Sequence, residues 1–493
     1  MAGLSIKNTN FFVFFCFYPR PIFDLQFLKT FKMKKTILLL LLFLSFYTNS
    51  FAQYTKLMDF NGPTTGGYPY GSLYSDGTFL YGMTSTGGSA GLGTLFKIKP
   101  DGTGFTKLID FAGTTNGSSP YGNVISDGTF LYGMTVNGGA NNLGTIFKIM
   151  PDGTGYVKLL DFAGTTNGSN PWGSLITDGI YLYGTTFGGG SSSMGTVFKI
   201  KLDGTGYAKL LDFAGLTNGR NPRGDLLYDG TYLYGMTSVG GSDNFGTLFK
   251  IMPNGTGYVK LLNFDSITNG RNPMGSVISD GTYLYGMTSG SGTKSSNSFG
   301  TIFKIKPDGT SYSRLLEFDG ATKGRYPYGS LVSDGTYLYG MSYNGGIDNF
   351  GTLFKIMSDG TGFAKLMDFS VTNGQIPWGS LITVGTSLYG MTAGGGTALS
   401  GVLFKYGIST LSTSKNQWQK EFKIYPNPSN GNFNIEIDEN LMGAKTTVYN
   451  LLGQKIKDFD LKSTTTNQFL NKGIYLLEIE KEGRKTSKKL IVN

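Results

Sequence analysis

The feature that most constrains the fold of this chain is a repeat. The triplet Leu-Tyr-Gly begins at Leu80, Leu131, Leu182, Leu233, Leu284, Leu338 and Leu388, with successive separations of 51, 51, 51, 51, 54 and 50 residues. A period near 50 residues marks a propeller or solenoid, whose repeating unit cannot bury its apolar face alone. Four short segments recur in each period: Lys-Leu-Leu-Asp-Phe (Lys158 to Phe162), Gly-Ser-Leu (from Gly173), Tyr-Leu-Tyr-Gly (from Tyr181) and Phe-Lys-Ile (from Phe198). Four strands per unit is the make-up of a propeller blade, so residues 53–407 are predicted to form an all-β, seven-bladed β-propeller. The 76 glycines and 14% aromatic residues, against 15% charged, fit many short strands joined by tight turns.

The connections alternate in kind. Asp-Gly-Thr (Asp127 to Thr129) and Pro-Asp-Gly-Thr-Gly (Pro151 to Gly155) are hairpin signals, whereas Ala163 to Pro171 and Gly188 to Met194 are longer and variable. In an up-and-down sheet this alternation sends every long loop to one face. Tyr132, Met134, Phe147 and Ile149 are expected to crowd both sides of their strands because blades pack face to face, and the glycine after each Leu-Tyr is expected to admit a neighbouring blade. Counted from Gly-Ser-Leu, the last blade ends at Phe404-Lys405-Tyr406 without a fourth strand, and the lone Lys56-Leu-Met-Asp-Phe60 can supply it, closing the ring.

Ahead of the repeats, Met33-Lys34-Lys35, an apolar run from Ile37 to Phe46 and Ser50-Phe51-Ala52 read as a secretory signal over 33–52, cut before Gln53. Its apolar middle is shorter than the roughly 20 residues of a spanning helix, and no later segment qualifies. Residues 1–32 fit an upstream start assigned too early, with Met33 as the true start. The only cysteine, Cys16, lies there, so the mature chain is expected to carry no thiol chemistry. Histidine is absent, which removes the commonest general base and metal ligand. The formal charge of +10 comes from lysines at fixed repeat positions with acids between them, which argues against a nucleic-acid partner.

The Leu-Tyr-Gly-Met-Thr, Gly-Gly and Gly-Thr-x-Phe-Lys-Ile elements, from Gln53 to about Gly407, resemble the Gloeo/Verruco (GloVer) tandem repeat of bacterial surface proteins. That resemblance implies a surface location and assigns no chemistry. After a Ser/Thr/Lys/Asn-rich linker at 408–420, the segments Phe422-Lys-Ile-Tyr-Pro-Asn-Pro428, Thr447-Val-Tyr-Asn-Leu-Leu-Gly-Gln454, Lys472-Gly-Ile-Tyr-Leu-Leu477 and Lys489-Leu-Ile-Val492 resemble the type A sorting domain of the type IX (Por) secretion system. The resemblance implies that residues 421–493 form a small Ig-like sandwich recognised by the export machinery, leaving the protein secreted or surface-attached. Short alternating strands with Gly/Asn turns agree with a sandwich.

Symmetric positions are scaffold, so a site is sought where the repeats differ. After the proline of the long loop, the seven repeats carry Tyr70, Tyr121, Trp172, Arg223, Met274, Tyr328 and Trp378. Such rings either stack on sugars or bases or plug the rim against one another. Two positions before that proline stand Gly67, Ser118, Ser169, Arg220, Arg271, Arg325 and Gln375, with Arg223 and Asp225 close in sequence to the first arginine. Three successive arginines form either a basic arc for an acidic glycan or peptide, or a solvated rim. Hairpin aspartates such as Asp127 and Asp152 read as turn residues rather than calcium ligands, since each turn offers one carboxylate. The recurring Lys and Asp of Phe-Lys-Ile and Leu-Asp-Phe read as solvated or paired outer-strand positions. Neither a metal site nor a cofactor motif is predicted.

The leading expectation is a non-catalytic surface protein that binds glycan or peptide on its long-loop face, with an acidic glycan or surface protein as partner. A carboxylate-based carbohydrate enzyme is the rival, its candidate acids being Asp225, Asp265, Asp319 and Asp348. A structural matrix protein with no ligand is the third reading.

Overall fold

The computed structural model describes residues 53–290, 299–408, 422–450, 455–481 and 484–492. The expected upstream segment and leader, and the linker beyond Ile408, lie outside these residues. Within 53–408 the chain forms seven antiparallel sheets, six of four strands and one with a short fifth. In one of them Ile176–Thr177, Tyr181–Thr186, Thr196–Lys201 and Ala208–Asp212 pair in chain order. The extra strand elsewhere, Arg220–Pro222, pairs with Leu233–Val239.

The sheets are the blades of a propeller. Their innermost segments meet through one glycine each, and the contacts run in a circle: a Cβ on Gly71 would lie 2.2 Å from the Gly122 carbonyl oxygen, and one on Gly379 would lie 2.2 Å from that of Gly71. Gly122, Gly173, Gly224, Gly275 and Gly329 complete the ring, each against its successor. Closure is by the N-terminal strand, as Tyr54–Asp59 pairs antiparallel with Val402–Gly407 to complete the last sheet.

Between blades the core is two-sided. Tyr132, Met134 and Ile146 pack with Leu182, Phe198 and Ile200 of the next blade, while Phe147 and Ile149 face the preceding one. These side chains are almost fully buried, so burial on both faces explains the missing alternation. The glycine after Leu-Tyr has a different role from the one expected. A Cβ on Gly133 would lie 2.6 Å from Phe147 Cζ and 3.2 Å from Val124 Cγ1, both in its own blade, so it admits the phenylalanine of the adjacent strand. Neighbouring blades come closest instead at the Gly-Ser-Leu glycine.

Hairpin aspartates serve their own turns. Asp127 Oδ1 accepts the N–H groups of Thr129 and Phe130, and Oδ2 accepts the Tyr132 hydroxyl at 2.8 Å. Burial pushes this carboxyl up, but those donors together hold it below its usual range. The Phe-Lys-Ile lysines sit on third strands and link blades: Lys97 donates to the Pro151 carbonyl at 2.9 Å and lies over the Phe79 ring. The outer-strand pairs, such as Lys158–Asp161 at 2.9 Å, are partly exposed and worth at most about 1 kcal/mol each.

The tail is a sandwich of a three-stranded sheet (Phe422–Tyr425, Asn432–Ile437, Thr465–Phe469) and a four-stranded one (Lys455–Asp460, Lys445–Asn450, Gly473–Lys481, Arg484–Val492). Phe433, Ile435, Val448, Leu477, Ile479 and Leu490 fill its core. Among the described residues no helix is long and apolar enough to cross a membrane.

Candidate functional site

In every blade the long loop reaches the axis through one strained residue. The position before the loop proline adopts φ between 51° and 56°, whether it is Asn221, Tyr326 or the β-branched Ile376. Its amide donates to the preceding blade, as Asn221 does to the Met194 carbonyl at 2.8 Å, and Asn221 Nδ2 adds a bond to the Phe187 carbonyl at 2.9 Å. Seven repetitions of this kink deliver seven post-proline side chains to one place. There they line an axial cavity of about 60 Å³, together with the glycine ring and the residue after every axial glycine but Gly122.

The aromatic members touch one another. Tyr328–Trp378, Trp378–Tyr70, Tyr70–Tyr121 and Tyr121–Trp172 have centroid separations of 4.6, 5.2, 4.9 and 5.1 Å, three of them edge-to-face and Tyr328–Trp378 tilted. The arc ends at Arg223, whose guanidinium carbon lies 4.3 Å from the Trp172 ring centre and 5.1 Å from that of Phe187. Cation–π packing replaces hydrogen bonding here: Arg223 Nε is buried without a partner, and desolvation holds the guanidinium below its usual value. The rings thus pack against one another around a small open centre, as rim plugging requires.

Beneath the rings runs a circle of hydrogen bonds that sequence reasoning missed. Six of the seven residues after the axial glycines accept the backbone N–H of the counterpart one blade earlier. Asn123 N donates to Ser174 Oγ at 2.9 Å, Ser174 N to Asp225 Oδ1 at 2.5 Å and Asp225 N to Ser276 Oγ at 2.6 Å. Ser276, Ser330 and Ser380 continue it to Ser72 at 2.7 to 2.9 Å. The circle breaks at one point, where Asn123 Oδ1 is buried and unpartnered. The glycine followed by Ser, Asn or Asp in every repeat carried the signal, though partners in different repeats cannot be paired from sequence.

Asp225 is the single carboxylate lining the cavity. Desolvation pushes its carboxyl above the usual range, opposed by the Ser174 amide and hydroxyl. Although two residues apart, Arg223 and Asp225 form no ion pair, and among the described residues no cation lies within pairing distance of Asp225. The other candidate acids do not join it. Asp265 Oδ1 caps the amides of Ile267 and Thr268, Asp319 pairs with Lys323 at 3.7 Å, and Asp348 borders a separate groove with Phe350 and Val371.

Arg220, Arg271 and Arg325 stand on the same long loops but do not line the cavity. Arg271 lies 5.8 Å from the Phe245 ring centre, and Arg325 lies over Phe299 at 5.4 Å while donating to Asn349 Oδ1 at 2.6 Å. Arg220 and Arg325 each bury an unpartnered Nε.

Comparison with known proteins bears on the fold and destination. The chain matches the Gloeobacter/Verrucomicrobia repeat at residues 45–179, 125–297 and 279–449, and the secretion system C-terminal sorting domain at 423–493. No curated protein matches it. Among solved structures it is similar to the GH74 enzyme of Niastella koreensis, at 12% identity and TM-score 0.50 over 89% of this chain and 74% of that one. It is also similar to PorZ, described as an essential bacterial surface component of the type IX secretion system of Porphyromonas gingivalis, at 12% identity and TM-score 0.43 over 88% of this chain. The chain spans 60% of the length of that PorZ structure. At these identities the likeness concerns fold alone.

Proposed function

We propose that this chain, which belongs to the Gloeobacter/Verrucomicrobia repeat family and is exported to the cell surface through its sorting domain, is a non-catalytic binding protein whose long-loop face recognises glycan or peptide. One observation carries this reading. Irregular residues stand on the long loops, with Arg223 and Asp225 lining the axial cavity and Arg220, Arg271 and Arg325 each three residues before a cavity-lining side chain. A scaffold has no use for a partly buried carboxylate without a cationic partner, which costs stability. The enzyme reading is disfavoured because glycosidic chemistry needs two carboxyl groups flanking one bond, and the cavity is lined by one. The tail's partner is the secretion machinery.

The test is an array of neutral and acidic glycans and peptides probed with the exported protein at low and moderate salt. Binding to acidic polymers that weakens with salt, and is lost when Arg220, Arg271 and Arg325 are changed together to Ser, assigns the outer arginines to the ligand. Absence of any binding at either salt overturns the reading in favour of a scaffold.

A further inference from the structure

The cavity places a cation, an acid and aromatic faces around a space too small for a whole sugar ring. At about 60 Å³ it is well below the roughly 300 Å³ at which ligand pockets begin, so it admits the edge of a molecule rather than its body. Its charges cancel, since Arg223 and Asp225 are the charged residues that line it. Arg223 donates no hydrogen bond among the described residues, and its guanidinium lies over the Trp172 and Phe187 rings. Asp225 has no cationic partner. Tyr328, two blades further round the ring, lines the same cavity. The cavity is therefore lined by a donor fork, an acceptor and aromatic faces.

A single anionic group would be drawn to Arg223 and repelled by Asp225, and a single cation would meet the reverse. Neighbouring hydroxyls, each both donor and acceptor, satisfy the two together. Apolar C–H faces of the same ring would rest on the arc from Trp172 to Trp378. We propose that the axial cavity holds the vicinal hydroxyls of a terminal, uncharged sugar, inserted edge-on, with Arg223 donating, Asp225 accepting and the aromatic arc packing against the ring. This rests on the binding reading above and names its ligand class. It separates the axial site from the outer arginines, whose chemistry suits anions.

The repeats supply variants that preserve the fold. Asp225→Ser installs the residue that Ser174, Ser276 and Ser330 provide at this position, and Arg223→Tyr installs that of Tyr70, Tyr121 and Tyr328. Saturation-transfer NMR with the full exported chain would use the methyl glycosides of glucose, galactose, mannose and glucuronic acid as probes. The expected result is transfer to ring protons of at least one uncharged glycoside, weakened ten-fold or more in either variant, with melting curves that remain cooperative. No transfer from any uncharged glycoside, or transfer unchanged in both variants, overturns the proposal. Transfer to the glucuronide alone also overturns it, yet leaves a binding face intact, so the two readings fail separately.

Discussion

Asp225 shows how one residue is set against its surroundings. Six counterparts at its position are Ser or Asn, and it serves the same hydrogen-bond circle as they do while adding a charge that burial opposes. Its folded carboxyl is raised above the unfolded value. The associated stability is present below about pH 4 and is lost as pH rises through the folded value. Asp225→Ser is therefore expected to raise the melting temperature at pH 7 by about 2 °C or more, with the gap closing as pH falls toward 4. Melting curves of both proteins across that range check this, and an equal or lower melting temperature for the variant at pH 7 contradicts it. The irregularity of Asp225 was legible in the sequence. Its solitude was not, because it depends on where Asp265, Asp319 and Asp348 end up in space.

At the scale of elements, what was legible was local. Four strands per repeat and Asx-type hairpins follow from contiguous residues, and Asp127 closes its turn through amides two and three residues on. The last blade bears this out by exception: Val384 stands at the aspartate position, and the Tyr389 hydroxyl reaches the Pro100 carbonyl of the next blade instead, at 3.3 Å. What was misread involved choosing between neighbours in space, as when the Leu-Tyr glycine was assigned to the adjoining blade rather than to its own Phe147. Ring closure was legible because a strand was missing at one end and spare at the other. Deleting Tyr54 to Phe60 strips the partner from Val402–Gly407 and removes a fully buried phenylalanine. The expected outcome is loss of cooperative unfolding by circular dichroism, or insolubility. A soluble, cooperatively melting truncation contradicts closure.

Over the whole molecule, sevenfold repetition supplies the scaffold, and in the function proposed above its violations supply recognition. Interblade cores, the glycine ring and the lysine-to-carbonyl links recur around the circle, so they carry no address for a ligand. The sorting domain directs the protein to the cell surface, and the proposed function assigns recognition there to the long-loop face. The measurement that tests this division most directly replaces the irregular residues with their counterparts in other blades: Arg220→Ser, Arg223→Tyr, Asp225→Ser, Arg271→Ser and Arg325→Ser in one chain. The account predicts a protein that is exported, melts at least as high as the original and no longer binds on the glycan and peptide array. Undiminished array binding by that folded, regularised protein would contradict it.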